Sequence, residues 1–168
     1  MTDGLRIARI LVPVDGSEFS RHATDHAVRI ALAYGAELVF VHAVDQQIVA
    51  ELTTHESGDG PQIRDRLWES GRIYLRENGR VADAHHLTHR EEIAEGDPCA
   101  VICDTAVRVG ADLIVMGKIG RRGARRILMG SVTRRVAEAT DRPVLIVTGP
   151  PRADEQLTAE QGKQDRQR

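Results

Sequence analysis

The sequence predicts an open α/β fold, a single doubly wound parallel sheet with helices on both faces, and three observations carry that expectation. Short runs rich in Val, Ile and Leu alternate with segments of helical periodicity along most of the chain. A strand, a helix and a second strand fit within residues 8–43, the length of a βαβ unit, whose crossover is parallel and right-handed. The runs DLIVM (residues 112–116) and VLIVT (144–148) are almost unbroken in apolar character, as strands covered on both faces are.

Taken in order, residues 8–14 (ARILVPV) form the first strand and run into Asp15-Gly16, a turn signal. Helical spacing of Phe19, Ala23, Ala27, Ile30 and Tyr34 follows, with acidic Glu18 in the first turn and Gly35 as the stop. Residues 37–43 (ELVFVHA) give the second strand. Residues 45–61 hold a short apolar stretch and then ESGDGP, and read as a mobile loop. Residues 62–78, with Ile63, Leu67 and Tyr74, resume helical character until Gly79 ends it. Residues 81–92 are assigned to the third strand, although they carry His85, His86 and His89. Gly96-Asp97-Pro98 announces a helix, since Asp caps and Pro is tolerated in the first turn. Val101, Ile102, Thr105 and Val109 supply its buried stripe, and Gly110 closes it. After DLIVM comes a Gly- and Arg-rich loop, then a last helix over 131–140 and the last strand over 144–148. Residues 1–149 thus form one domain, and the polar stretch 150–168 reads as a disordered tail.

The whole-chain balance narrows the function. A formal net charge of −2 provides no basic field, which argues against a general nucleic-acid binder. No apolar run reaches the ~18 residues of a membrane span and no leader pattern opens the sequence, so a cytoplasmic protein is expected. Cys99 and Cys103 lie four apart on one face of a helix. They suit a thiol switch or half a metal site, but small buried packing residues explain them as well. His22 and His26 share a helix face without a convergent third ligand, and no metal site is expected.

In an open α/β sheet, ligands bind outside the carboxyl ends of the strands where the strand order reverses. Two turns qualify: VPVDGS (12–17), and the segment GKIGRRGARRILMGSV (117–132) after DLIVM. Gly117 and Gly120 lack Cβ and could present backbone N–H groups to a phosphate at close range. Gly130 and Ser131 would open the last helix, whose unpaired N–H groups and positive dipole end favour an anion. An ordinary glycine-rich loop is the competing reading. Neither a GxxxxGK[ST] loop nor a GxGxxG fingerprint is present.

The spacing G-x2-G-x9-G-S, carried by Gly117, Gly120, Gly130 and Ser131, resembles the ATP-binding motif of the universal stress protein family. ILVPVDGSE, LVFVHAVD, EGDP, GADLIVMG, GSVTRRV and RPVLIV, in that order over residues 8–148, look like the same family. The resemblance implies a five-stranded sheet of order 3-2-1-4-5, a homodimer paired through Val144, Leu145, Ile146 and Val147, and ATP as ligand, with or without Mg²⁺. It also implies roles. Asp15 would contact the nucleoside, Pro13 would lie beside the adenine and the Ala43 backbone would meet its edge. Met116 and Gly117 would continue the pocket wall, and Gly120, Gly130, Ser131 and Val132 would contact phosphate. The sequence departs from the family pattern at Lys118-Ile119, where a small hydroxyl and an Arg or His are usual, and at Ala43, usually Val.

Arg121, Arg122, Arg125 and Arg126 could neutralise phosphates or simply be solvated. His42 reads as a satisfied structural histidine. Two function classes follow. One is a nucleotide-responsive binding module acting in stress response; the other is a slow ATPase or nucleotide-dependent transferase using the same site. The lack of a P-loop Lys-Ser/Thr pair and of an obvious base favours the first. A relative that dimerises without binding nucleotide is a third possibility, against which the intact glycine motif argues.

Overall fold

The computed structural model describes residues 6–55, 60–120 and 129–149. The strands are β1 (Arg9–Pro13), β2 (Glu37–Asp45), β3 (His89–Gly96), β4 (Leu113–Gly117) and β5 (Val144–Val147). The helices are α1 (Glu18–Tyr34), α2 (Gln46–His55), α3 (Gly60–Ala84), α4 (Pro98–Val109) and α5 (Ser131–Ala139). All strand pairs are parallel and the order is β3-β2-β1-β4-β5, as expected.

Strand periodicity sorts the core into two layers. Ile10, Val12, Leu38, Phe40, Val115 and Val147 face one layer, filled by Ala23, Ala27 and Ala31 of α1 and by Leu75 and Ala82 of α3. Their neighbours Leu11, Val39, Val41, Ile114 and Met116 face the other, filled by Cys99, Ile102, Ala106 and Val109 of α4 and Val136 of α5. Alanines every four residues bring α1 close to β1, β4 and β5. Tyr34, expected in that stripe, is 51% exposed, and Ala31 takes the buried place.

Local signals end the helices where they occur. Ser17 caps α1 and Asp97 caps α4 through their side chains, and Gly35 and Gly110 stop the same helices in the left-handed region. Three expectations need correction between β2 and α4. Residues 46–55 are helix, not loop: Asp45 Oδ1 accepts from Gln47 N–H at 2.9 Å, and α2 packs against α3 and β2. α3 runs through Gly79 to Ala84. Gly79 is there for close approach, because a Cβ would lie 2.6 Å from Glu91 Oε1 and 2.8 Å from His89 Nε2. β3 therefore starts at His89, after a turn in which His86 takes φ 56°. It is an edge strand with half-exposed, charged residues, so its apolar pattern is weak. Among the described residues no helix is long and apolar enough to cross a membrane. The tail from 150 lies outside the described residues.

Candidate functional site

The chain winds from β1 through β2 to β3 on one side, then crosses to β4 and β5 on the other. The reversal falls between β1 and β4, so a crevice is expected at their carboxyl ends. The ladder between them pairs only Ile10 with Leu113 and Leu11 with Ile114, although β1 continues to Pro13 and β4 to Gly117. Pro13 helps to part them. Val14 N–H donates to Val41 O of β2 at 2.8 Å, so strand alternation turns the Pro13 nitrogen toward the β4 side, where it has no hydrogen to give.

Asp15 stands in the turn that follows. Its Oδ1 accepts from Ser17 N–H at 3.0 Å, Gly16 takes φ +75°, and Ser17 Oγ accepts from Ser20 N–H at 3.1 Å to begin α1. Asp15 is therefore a turn residue, and it also faces the second loop: a Cβ on Gly120 would lie 2.7 Å from Asp15 Oδ2. A side chain at Gly120 would have to displace the Asp15 carboxylate.

Three hydrogen bonds fix the far wall. Lys118 N–H donates to Val147 O at 2.8 Å, Gly130 N–H to Lys118 O at 2.8 Å, and Thr133 Oγ1 to Gly117 O at 2.9 Å. They bind the end of β4 to the end of β5 and the start of α5. The Thr133 hydroxyl is thereby committed to the protein. Gly130 is the N-cap of α5 in extended conformation and makes no side-chain cap bond, unlike Ser17 and Asp97. The first N–H groups of α5 thus lack the acceptor that the caps of α1 and α4 supply.

The structure brings Pro13, Asp15, Met116, Gly117, Gly120, Gly130, Ser131 and Val132 to one end of the sheet. Ala43 stands near the end of β2, in register with Ala94, and is half-buried. Gly117 has a packing cause of its own, because a Cβ there would lie 2.8 Å from the Phe19 carbonyl carbon and 2.9 Å from its oxygen. At the Lys118-Ile119 departure, Ile119 is buried and Lys118 half-buried, which anchors the loop through an apolar side chain. Arg121, Arg122, Arg125 and Arg126 lie outside the described residues.

Other sequence candidates do not converge here. No group of three or more metal-ligating side chains occurs among the described residues, and the histidine groups form no centre. Both cysteines are free; Cys99 lies in the α4 core layer. Burial, then the neighbouring Cys99, push the Cys103 thiol up to about 11, which keeps it protonated and suits packing. Residues not singled out for the site also touch it. His42 Nδ1 lies 2.7 Å from Val14 O, and the Tyr74 ring fills the space beside Gly16. The positive φ demanded by Asp15-Gly16 was a readable signal for the turn, but nothing local marks the helix that covers it.

Known proteins share this fold. The model of the universal stress protein family matches residues 6–148. A universal stress protein of Methanocaldococcus jannaschii is 36% identical over 142 residues, covering 84% of this chain and 82% of the relative. One of Bacillus subtilis is 32% identical over 145 residues, covering 83% and 97%. The universal stress protein UspA from Lactobacillus plantarum superposes with a TM-score of 0.74 at 27% identity, over 84% of this chain and 98% of that one. A universal stress protein in complex with cAMP superposes at 0.62 with 28% identity, over 85% and 98%. With the family model spanning nearly all the described fold and relatives above 30% identity, the chain belongs to the universal stress protein family.

Proposed function

We propose that the chain is an ATP-binding module of stress response whose site is the crevice between β1 and β4. The observation that carries the reading is the pairing of an α5 start without a side-chain cap with the Asp15–Gly120 contact across strands that have already parted. The donor set suits a nucleotide. Backbone N–H groups of Gly120, Ser131 and Val132 near a positive helix end favour phosphate, and Gly130 keeps that approach clear of a side chain. The Asp15 carboxylate accepts from ribose hydroxyls, while Pro13, the Ala43 backbone, Met116 and Gly117 line the base and sugar. Mg²⁺ would enter on the phosphates of ATP. The similar protein in complex with cAMP supports a nucleotide in this fold.

Occupancy would act by changing the Gly120 loop and the surface beside it. β5 is a sheet edge, which invites pairing with a second copy. Of its side chains Leu145 is 37% exposed, Val144 and Ile146 are half-buried and Val147 is buried in the core, so Leu145 is the most available to a twofold partner. Mass spectrometry of the supernatant from denatured, purified protein tests retention of a nucleotide, and calorimetry with ATP, cAMP and GTP tests the choice. Absence of binding at millimolar ATP would remove the reading; turnover with Mg²⁺ would turn it toward the slow ATPase.

A further inference from the structure

Tyr74 and His42 are not among the residues assigned to the crevice, yet both touch the turn that carries Asp15. His42 Nδ1 reaches the Val14 carbonyl at 2.7 Å, one residue before Asp15. The Tyr74 ring covers Gly16, one residue after it: a Cβ on Gly16 would lie 2.4 Å from Tyr74 Cε1. The two rings meet edge to face with centroids 5.6 Å apart. α3 comes close enough for this because Gly71 has no side chain; a Cβ there would lie 2.4 Å from His42 Cδ2 and 2.9 Å from Ile93 Cδ1.

We infer that Tyr74 and His42 are positioning residues for Asp15, holding the backbone on both sides of it so that its carboxylate stays aimed between Ser17 N–H and Gly120. The inference rests on the nucleotide reading of the crevice for its effect on affinity. Its physical ground is the freedom of Gly16. A glycine in the left-handed region has many alternatives open to it, and a turn built on one keeps a single geometry only when its surroundings impose it. The ring of Tyr74 imposes it from one side and the bond from His42 fixes the preceding carbonyl. Asp15 then meets a ligand already oriented, and the ordering cost is not charged to binding.

The test compares Tyr74→Phe, which keeps the ring, with Tyr74→Leu, which keeps apolar bulk and loses the ring. ATP affinity by calorimetry should fall about tenfold in Y74L, a displaced positioning contact, and by less in Y74F, which keeps the ring against Gly16. The Ser17 amide, whose hydrogen bond to Asp15 Oδ1 reports the turn, should exchange faster in Y74L. In the double variant Y74L/D15A the affinity should fall no further than in D15A, because Tyr74 acts through Asp15. If Y74L does not fold, His42→Phe keeps a ring against Gly71, removes the bond to Val14 O, and should give the same pattern. Unchanged ATP affinity in Y74L, or losses that add in the double variant, would overturn the inference. A wild-type protein that binds no ATP removes the nucleotide reading instead; unaltered Ser17 exchange in Y74L would then overturn the positioning role by itself.

Discussion

Gly120→Ala and Gly117→Ala change two glycines of one motif, three residues apart, and the structure assigns them opposite outcomes. The added methyl at Gly120 meets Asp15 Oδ2 at 2.7 Å, the tip of a side chain. Displacing the carboxylate oxygen by roughly 0.7 Å restores ordinary contact. The cost to the fold is the strained Ser17–Asp15 hydrogen bond, about 0.5–1.5 kcal/mol. Loss of glycine freedom in the unfolded chain offsets about 0.4–1 kcal/mol, since Gly120 does not have a positive φ. Stability should therefore stay within about 1 kcal/mol of wild type. ATP should bind about ten- to a hundredfold more weakly, because Asp15 is turned from the ribose and a methyl enters the crevice. At Gly117 the methyl meets the Phe19 backbone at 2.8 Å, which cannot swing aside without moving α1. That variant should lose about 1–3 kcal/mol of stability. Urea unfolding of both variants, with ATP titrations by calorimetry, checks the pair. Wild-type ATP affinity in Gly120→Ala, or equal destabilisation of the two, would refute the reasoning.

Gly130→Asp should leave melting nearly unchanged, since Asp is a good N-cap, while ATP binding disappears in calorimetry because a negative charge sits at the start of α5. Asp15→Ala should weaken ATP by about ten- to a hundredfold through lost bonds to a charged acceptor, measured by the same titration. Arg135, bonded to Asp97 at 2.8 and 3.0 Å, and then Ala100 N–H hold the Asp97 carboxyl below the usual range. A lowered folded pKa means its stabilisation is present above the unfolded value of about 3.9 and is lost as pH falls through the folded one. Asp97→Asn should therefore cost about 0.5–1 kcal/mol at pH 7, discounted for solvent exposure, with the gap to wild type closing in unfolding experiments as the pH falls below the unfolded value of about 3.9. Leu145→Lys should shift light-scattering mass toward the monomer; a wild-type chain monomeric at high micromolar concentration would remove the β5 interface.

Much of the fold was legible because its signals are local. β1, β2, β4 and β5 announce themselves as apolar runs, and the cap Asp97 and the stops Gly35 and Gly110 mark α1 and α4 by their own backbone chemistry. The order of Asp15-Gly16 and of the later glycines along the chain places both loops at one end of a parallel sheet, whichever helices cover it. Tertiary structure alone decided what each glycine is for. Gly79 reads as a helix stop, but β3 requires it inside α3; Gly117 and Gly120 look alike, but one faces the backbone of α1 and the other a carboxylate. It also decided that β1 and β4 part after two paired residues and that Tyr74 covers Gly16. A segment's periodicity and caps depend on its own residues, whereas the need for a missing Cβ depends on what a distant segment places opposite it, and that is set only when the layers close.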